Sequence, residues 1–163
     1  MVATAISREQ ILGWLAEVAD PEIPVLSITD LGIVRDVTVG DAVTVAVTPT
    51  YSGCPATEVL EQSVVDALHE RGSDHVEIER VLSPAWTTEW ITDAGREKLR
   101  AYGIAPPEKG GTKRELLYGN RQIACPRCES TNTQVVSEFG STACKATYRC
   151  KDCLEPFEYF KCI

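Results

Sequence analysis

"AVTVAVTPTYSGCPATEVLEQSVVDALHERGSDHVEIERVL", residues 42 to 82, decides the fold. It begins as a run of alternating β-formers, turns at "YSGC", and then changes period. From Pro55 to Arg71 the residues Ala56, Val59, Leu60, Ser63, Val64, Ala67 and Leu68 share one helical face, which Gly72 closes. "HVEIERVL" (75 to 82) alternates again and reads as a strand. Upstream, "IVRDVTV" (33 to 39) is a second β-branched run, joined to "AVTVAVT" through Gly40-Asp41, which predicts a tight hairpin with its first turn residue at positive φ. Ser7 and Gln10 form a capping box for a helix from Ser7 to Ala19, stopped at "ADPEIP", where two prolines forbid continuation. Downstream, "SPAWTTEW" is loop, with Trp86 and Trp90 lining a groove or covering the sheet. "TDAGREKLRAYG" (92 to 103), with Thr92 or Asp93 as cap and Gly103 as stop, is a third helix. This order predicts a small α/β domain over residues 1–104, an open mixed sheet with helices.

Residues 105–120 read as a linker rich in Pro, Gly and Lys. Residues 1 to 120 hold 10 Lys and Arg against 19 Asp and Glu, so this part repels phosphate backbones; residues 121 to 163 hold 6 against 5. The tail lacks a basic patch, so no nucleic-acid partner is expected. No apolar run approaches the roughly 20 residues of a membrane helix. "MVATAISREQ" has no signal-peptide pattern, and a cytoplasmic location is expected.

Six of the seven cysteines follow position 124. "CPRC" (125 to 128) and "CKDC" (150 to 153) are two knuckles that together present four sulfurs, Cys125, Cys128, Cys150 and Cys153, to one tetrahedral ion. The 21 residues between them contain "TQVVSEF" and "KATYRC", two strands of a small β-rich zinc-ribbon domain over 121–163. Zinc, iron or an iron-sulfur cluster suits such a ligand set. Two disulfides would require an oxidising compartment, which nothing in the sequence indicates. A thioredoxin-like redox pair would follow a strand in a βαβ unit, and these pairs do not. Cys144 and Cys162 remain over, either as small buried apolar groups or as a second metal site.

The first three quarters of the chain contain one cysteine, Cys54. Placed before Pro55, it reads as the cap of the following helix, with its sulfur facing unpaired amides; Gly53 beside it permits close approach of a ligand. A buried structural cysteine is the alternative reading. His69 and His75 lie at the far end of that helix, out of reach as bases, which argues against a cysteine hydrolase. "DPEIP" supplies Asp20 and Glu22, an acidic pair on a turn that can equally be a solvated turn and no more.

"DPEIPVLSITDLGIV" (20 to 34), a hairpin, and then "TPTYSGCPATEVLEQSV" (48 to 64) resemble the iron-sulfur assembly family, which includes SufT-like proteins and the cytosolic iron-sulfur targeting subunit. With "FGSTACKATYRCKDCLEPFEYFKC" the chain is similar to the accessory components of bacterial phenylacetyl-coenzyme A epoxidase systems. The resemblance implies a maturation role rather than catalysis, with oxygenase or reductase subunits as partners. It also implies that Cys54 is the functional thiol and transient iron or cluster ligand, with Asp20 and Glu22 as the supporting acidic turn. A second subunit's cysteine, in a homodimer, is another aid it allows. A docking adaptor folded by zinc is the competing reading. The sequence shows neither a di-iron carboxylate-histidine constellation nor a dinucleotide fingerprint.

Overall fold

The computed structural model describes residues 6–110 and 122–161. The chain forms two compact units, Met1–Trp86 and Thr87–Ile163. In the first, α1 (Arg8–Leu15), β1 (Val34–Val39), β2 (Val43–Val47), α2 (Thr57–His69) and β3 (Val76–Arg80) follow in order. The sheet order is β1-β2-β3, with β1 antiparallel and β3 parallel to the central β2, so the sheet is mixed as the sequence predicts. Parallel neighbours need a crossover, and α2 supplies it. Val45 and Val47 of β2, Ile11 and Leu15 of α1, and Val64 and Leu68 of α2 are at most 1% exposed and make the core.

Ser7 Oγ accepts from Gln10 N at 3.2 Å and Gln10 Oε1 accepts from Ser7 N at 2.9 Å, the expected capping box. The helix nevertheless ends at Leu15, short of Ala19. Val18 and Asp20 are drawn into backbone bonds with Ile28 and Leu26, which compete with further helical bonds. Ser7→Ala removes the hydroxyl that accepts from Gln10 N, leaves the backbone half of the box, and costs about 1 kcal/mol, read as a lower denaturant midpoint for the first unit.

Two other expectations change. Gly40 is not among the described residues with positive φ; the turn is a three-residue loop, because Val39 pairs with Val43 and Gly40 N donates to Ala42 O at 3.0 Å. Val59, counted on the buried face of α2, is 55% exposed, because the stripe that packs is Leu60, Val64 and Leu68. Gly72 behaves as expected: its φ of 90° lets Ser73 N reach back to Leu68 O and close α2.

In the second unit a 3₁₀ turn (Thr88–Trp90) leads to α3 (Asp93–Tyr102), capped by Thr92 Oγ1 accepting from Gly95 N at 3.0 Å. β4 (Ile104–Ala105), β5 (Thr133–Ser137), β6 (Lys145–Cys150) and β7 (Pro156–Phe160) form a sheet in the order β4-β7-β6-β5. Ile104 pairs with Glu158 and Ala105 with Tyr159 in parallel register. The third helix, expected in the first domain, packs by contact in the compact unit Thr87–Ile163 together with the ribbon. A two-residue strand pairing with a partner more than fifty positions on leaves no local signal. The expected linker lies partly in this sheet, and its residues 111–120 lie outside the described residues. Tyr148, 5.9 Å from Phe157 and 5.7 Å from Tyr159 between ring centroids, packs with Ala105 and Ile123 over this core. No helix among the described residues is long and apolar enough to cross a membrane.

Candidate metal centre and thiol site

Cys125, Cys128, Cys150 and Cys153 converge, with all four sulfurs within 4.8 Å of one another. Cys125 and Cys153 are 3.7 Å apart and Cys128 and Cys150 3.6 Å. Disulfides need about 2.05 Å. A tetrahedral ion with bonds of ~2.3 Å to sulfur requires edges of about 3.8 Å. The donor set therefore fits a metal and not a pair of disulfides. Each knuckle buries its first cysteine, Cys125 at 1% and Cys150 at 0% exposure, and each turns through a residue at positive φ just after its second, Glu129 and Leu154. Glu129 N donates to Cys125 O, while Cys125 N and Cys150 N donate to the Ser130 and Glu155 carbonyls, all at 2.9 Å.

The protein's own groups favour the thiolate unequally at these sulfurs. The Cys153 and Asp152 amides outweigh burial and lower the Cys150 thiol to about 7. The Ser130 amide favours the Cys128 thiolate, but the neighbouring sulfurs and burial overcome it and push this thiol up to about 12. A divalent ion removes that conflict by holding all four as thiolates.

Cys54 lies in the first unit on the turn between β2 and α2. The helix proper starts at Thr57 with Ala56 as its cap, so Cys54 is two residues before the cap and not the cap itself. Pro55 and Ala56 form a preceding turn in which Thr57 N donates to Cys54 O at 3.2 Å. Gly53 has a φ of 84°, a backbone conformation that favours glycine, and the space where a Cβ would stand is open. Cys54 is half-buried and borders a cavity of about 20 Å³ together with Asp20, Thr50, Thr57 and Leu60. It also borders an open depression of about 400 Å³ with Glu58, Arg80 and Leu82. Asp20 is 8% exposed, and its Oδ1 accepts from Glu22 N at 2.9 Å and Ile23 N at 2.8 Å. Its carboxylate thus organises the "DPE" turn, and the residue lines the thiol cavity as well. Glu22 does not line that cavity, and no histidine does.

Residues 8–79 match the family described as "Iron-sulfur cluster assembly protein", and residues 109–161 match "PaaD zinc beta ribbon domain". The chain is 52% identical over 155 residues, 94% of its own length and 92% of the relative's, to an Escherichia coli (strain K12) protein. That relative is named as a subunit of a "Putative 1,2-phenylacetyl-CoA epoxidase". The chain belongs to the PaaD family. The chain is similar over part of its length to two solved structures. One is a domain of unknown function from Bacillus anthracis, with TM-score 0.53 and 26% identity over 56% of this chain and 90% of that one. The other is a conserved hypothetical protein from Thermotoga maritima, with TM-score 0.52 and 30% identity over 60% and 98%.

The two matched regions of this PaaD-family chain are those that contain the two sites. Asp20 and Cys54 are brought to one cavity from positions 34 apart in sequence. Sequence reasoning misses Thr50 and Thr57 at that cavity; their only signal is a position flanking "YSGCPA". Cys144 is buried just before β6, its Sγ 3.0 Å from Thr142 Oγ1, while Cys150 ends that strand roughly 20 Å away at ~3.4 Å per residue. It is not part of the four-sulfur cluster. Cys162 lies outside the described residues. Trp86 is buried with its Nε1 donating to Leu31 O at 2.8 Å, so it covers the first unit rather than lining a groove.

Proposed function

We propose that the chain is an accessory maturation factor, not a catalytic subunit, that helps assemble or deliver an iron or iron-sulfur centre to a phenylacetyl-CoA epoxidase system. The observation that carries this reading is the shared cavity of Asp20 and Cys54. A thiolate and a carboxylate offer a soft and a hard donor, enough to hold iron briefly and too few to store a cluster, which commonly takes four ligands. A cavity of about 20 Å³ has room for a single body the size of a water molecule. The match to an iron-sulfur assembly family and the name of the Escherichia coli relative support the same role. In this reading the four-cysteine ribbon holds zinc as a structural ion, and the oxygenase or reductase subunits are the clients.

The test is the iron content of the oxygenase and reductase matured beside the wild-type chain, Cys54→Ser or Asp20→Asn. Loss of one donor from a site this small lowers delivery roughly tenfold or more. Full iron loading with Cys54→Ser refutes a ligand role for the thiol. A second reading, a docking adaptor, is favoured by the ribbon's exposed Val135, Val136, Phe139 and Leu154, at 53, 61, 64 and 59%. It predicts that Cys54→Ser is silent while Cys125→Ser abolishes association with the clients.

A further inference from the structure

Arg96 projects from α3 and is only 7% exposed. Its Nη1 donates to the Pro107 carbonyl and its Nη2 to the Thr88 carbonyl at 2.7 Å, while Nε donates to nothing. Among the described residues it forms no ion pair; the acids that pair nearby hold other cations, Glu97 with Arg100 and Asp93 with Lys109. A guanidinium has five N–H donors, and the two carbonyls supply dipoles but no opposite charge. Burial opposes the cation, pushing its pKa down from the ordinary value. A buried charge without a counter-ion is costly, and natural proteins normally match it.

Arg96 also lines a cavity of about 540 Å³, within the size range that encloses a small organic molecule. Ala105, Pro106, Pro107, Ile123 and Pro126 give it an apolar wall. Arg100 and Lys109 border it, as do the carboxylates of Glu108 and Glu129. Among the described residues Arg96 is therefore the cation lining this cavity that lacks an acidic partner.

The geometry points to a binding site for a small organic oxyanion, whose carboxylate or phosphate group pairs with Arg96 while its apolar part lies on the proline and isoleucine wall. The planar guanidinium fork suits both oxyanions. This site is separate from the Cys54 cavity and stands whether or not iron is carried there.

Benzoate and inorganic phosphate are the probes, titrated calorimetrically into the full-length, metal-loaded protein while the arginine Nε–H resonances are followed by NMR. Saturable one-to-one binding that shifts the Arg96 resonance is expected. Arg96→Lys weakens it roughly tenfold or more, because a lysine cannot reproduce the fork, whereas Arg127→Lys, on an exposed pair with Glu155, leaves it unchanged. Benzoate alone binding identifies a carboxylate ligand with an apolar body; phosphate alone identifies a phosphate-bearing one. If Arg96→Lys does not fold, the wild-type resonance decides. Failure of both probes to bind below about 1 mM, or binding that leaves the Arg96 resonance unmoved, overturns the assignment.

Discussion

Cys150→Ser abolishes the fold of β5 to β7 while β1 to β3 and α2 remain. Cys150 is fully buried, closes β6, and contributes both a sulfur to the four-cysteine cluster and a position in the core beside Phe157 and Tyr159. The sheet around it is small, and β5 exposes four of its five residues, so apolar burial alone cannot offset the chain entropy of ordering it. Metal binding at such sites supplies about 10–16 kcal/mol at neutral pH, and three sulfurs retain only part of it. The measurement is a two-dimensional NMR spectrum with metal analysis: ribbon resonances collapse with loss of one metal per chain, and those of the first unit stay dispersed. Addition of a strong chelator to the wild type reproduces the result. A native ribbon spectrum in metal-free Cys150→Ser protein contradicts this account.

Glu158→Gln destabilises the second unit by about 3 kcal/mol, the lower end for breaking a buried ion pair. Glu158 on β7 lies 3.3 Å from Lys145 on β6, whose side chain is 7% exposed, and it also accepts from Ser141 N at 2.8 Å. Removing the carboxylate's charge leaves the lysine ammonium buried and unmatched. Burial alone would raise the Glu158 pKa, but the Ser141 amide and the Lys145 ammonium outweigh it and hold it below the ordinary value. The pair's contribution is therefore complete above about pH 4.5, the ordinary range of a glutamate, and is lost as pH falls through the lower folded value. Denaturation of wild type and Glu158→Gln across pH 3 to 7 checks the sign: the gap between them is widest at neutral pH and closes in acid. A gap that stays constant with pH rules out the ion pair as its cause. Metal release in acid affects both proteins alike and cancels in the difference.

Much of the first unit is legible because its signals are local. The hairpin, the amphipathic helix and the third strand each repeat a period within a few residues, and the structure keeps all three. The stop of α1 is less legible, because proline is only one way to end a helix. Here Leu26 and Ile28 bond the chain at Val18 and Asp20 and end it earlier. The segment 20–33 is the larger omission: Ile23, Leu26, Ile28 and Leu31 are at most 2% exposed without belonging to a helix or strand. Asp20 and Asp30 make this possible by satisfying backbone amides of Glu22, Ile23 and Ser27 with their carboxylates. Neither periodicity nor composition announces a buried loop.

The sequence by itself determined the mixed sheet, the four metal-binding sulfurs and the position of the lone thiol on its turn. These follow from residue periods of two and 3.6 and from the CxxC spacing, which constrain the backbone over a few residues. The tertiary structure alone decided that Asp20 rather than Glu22 shares a cavity with Cys54, that α3 and β4 belong to the unit of the ribbon, and that Arg96 is buried with no acid paired to it among the described residues. Each depends on contacts between distant positions, whose geometry is set by how the elements pack and is not encoded in any one stretch of chain.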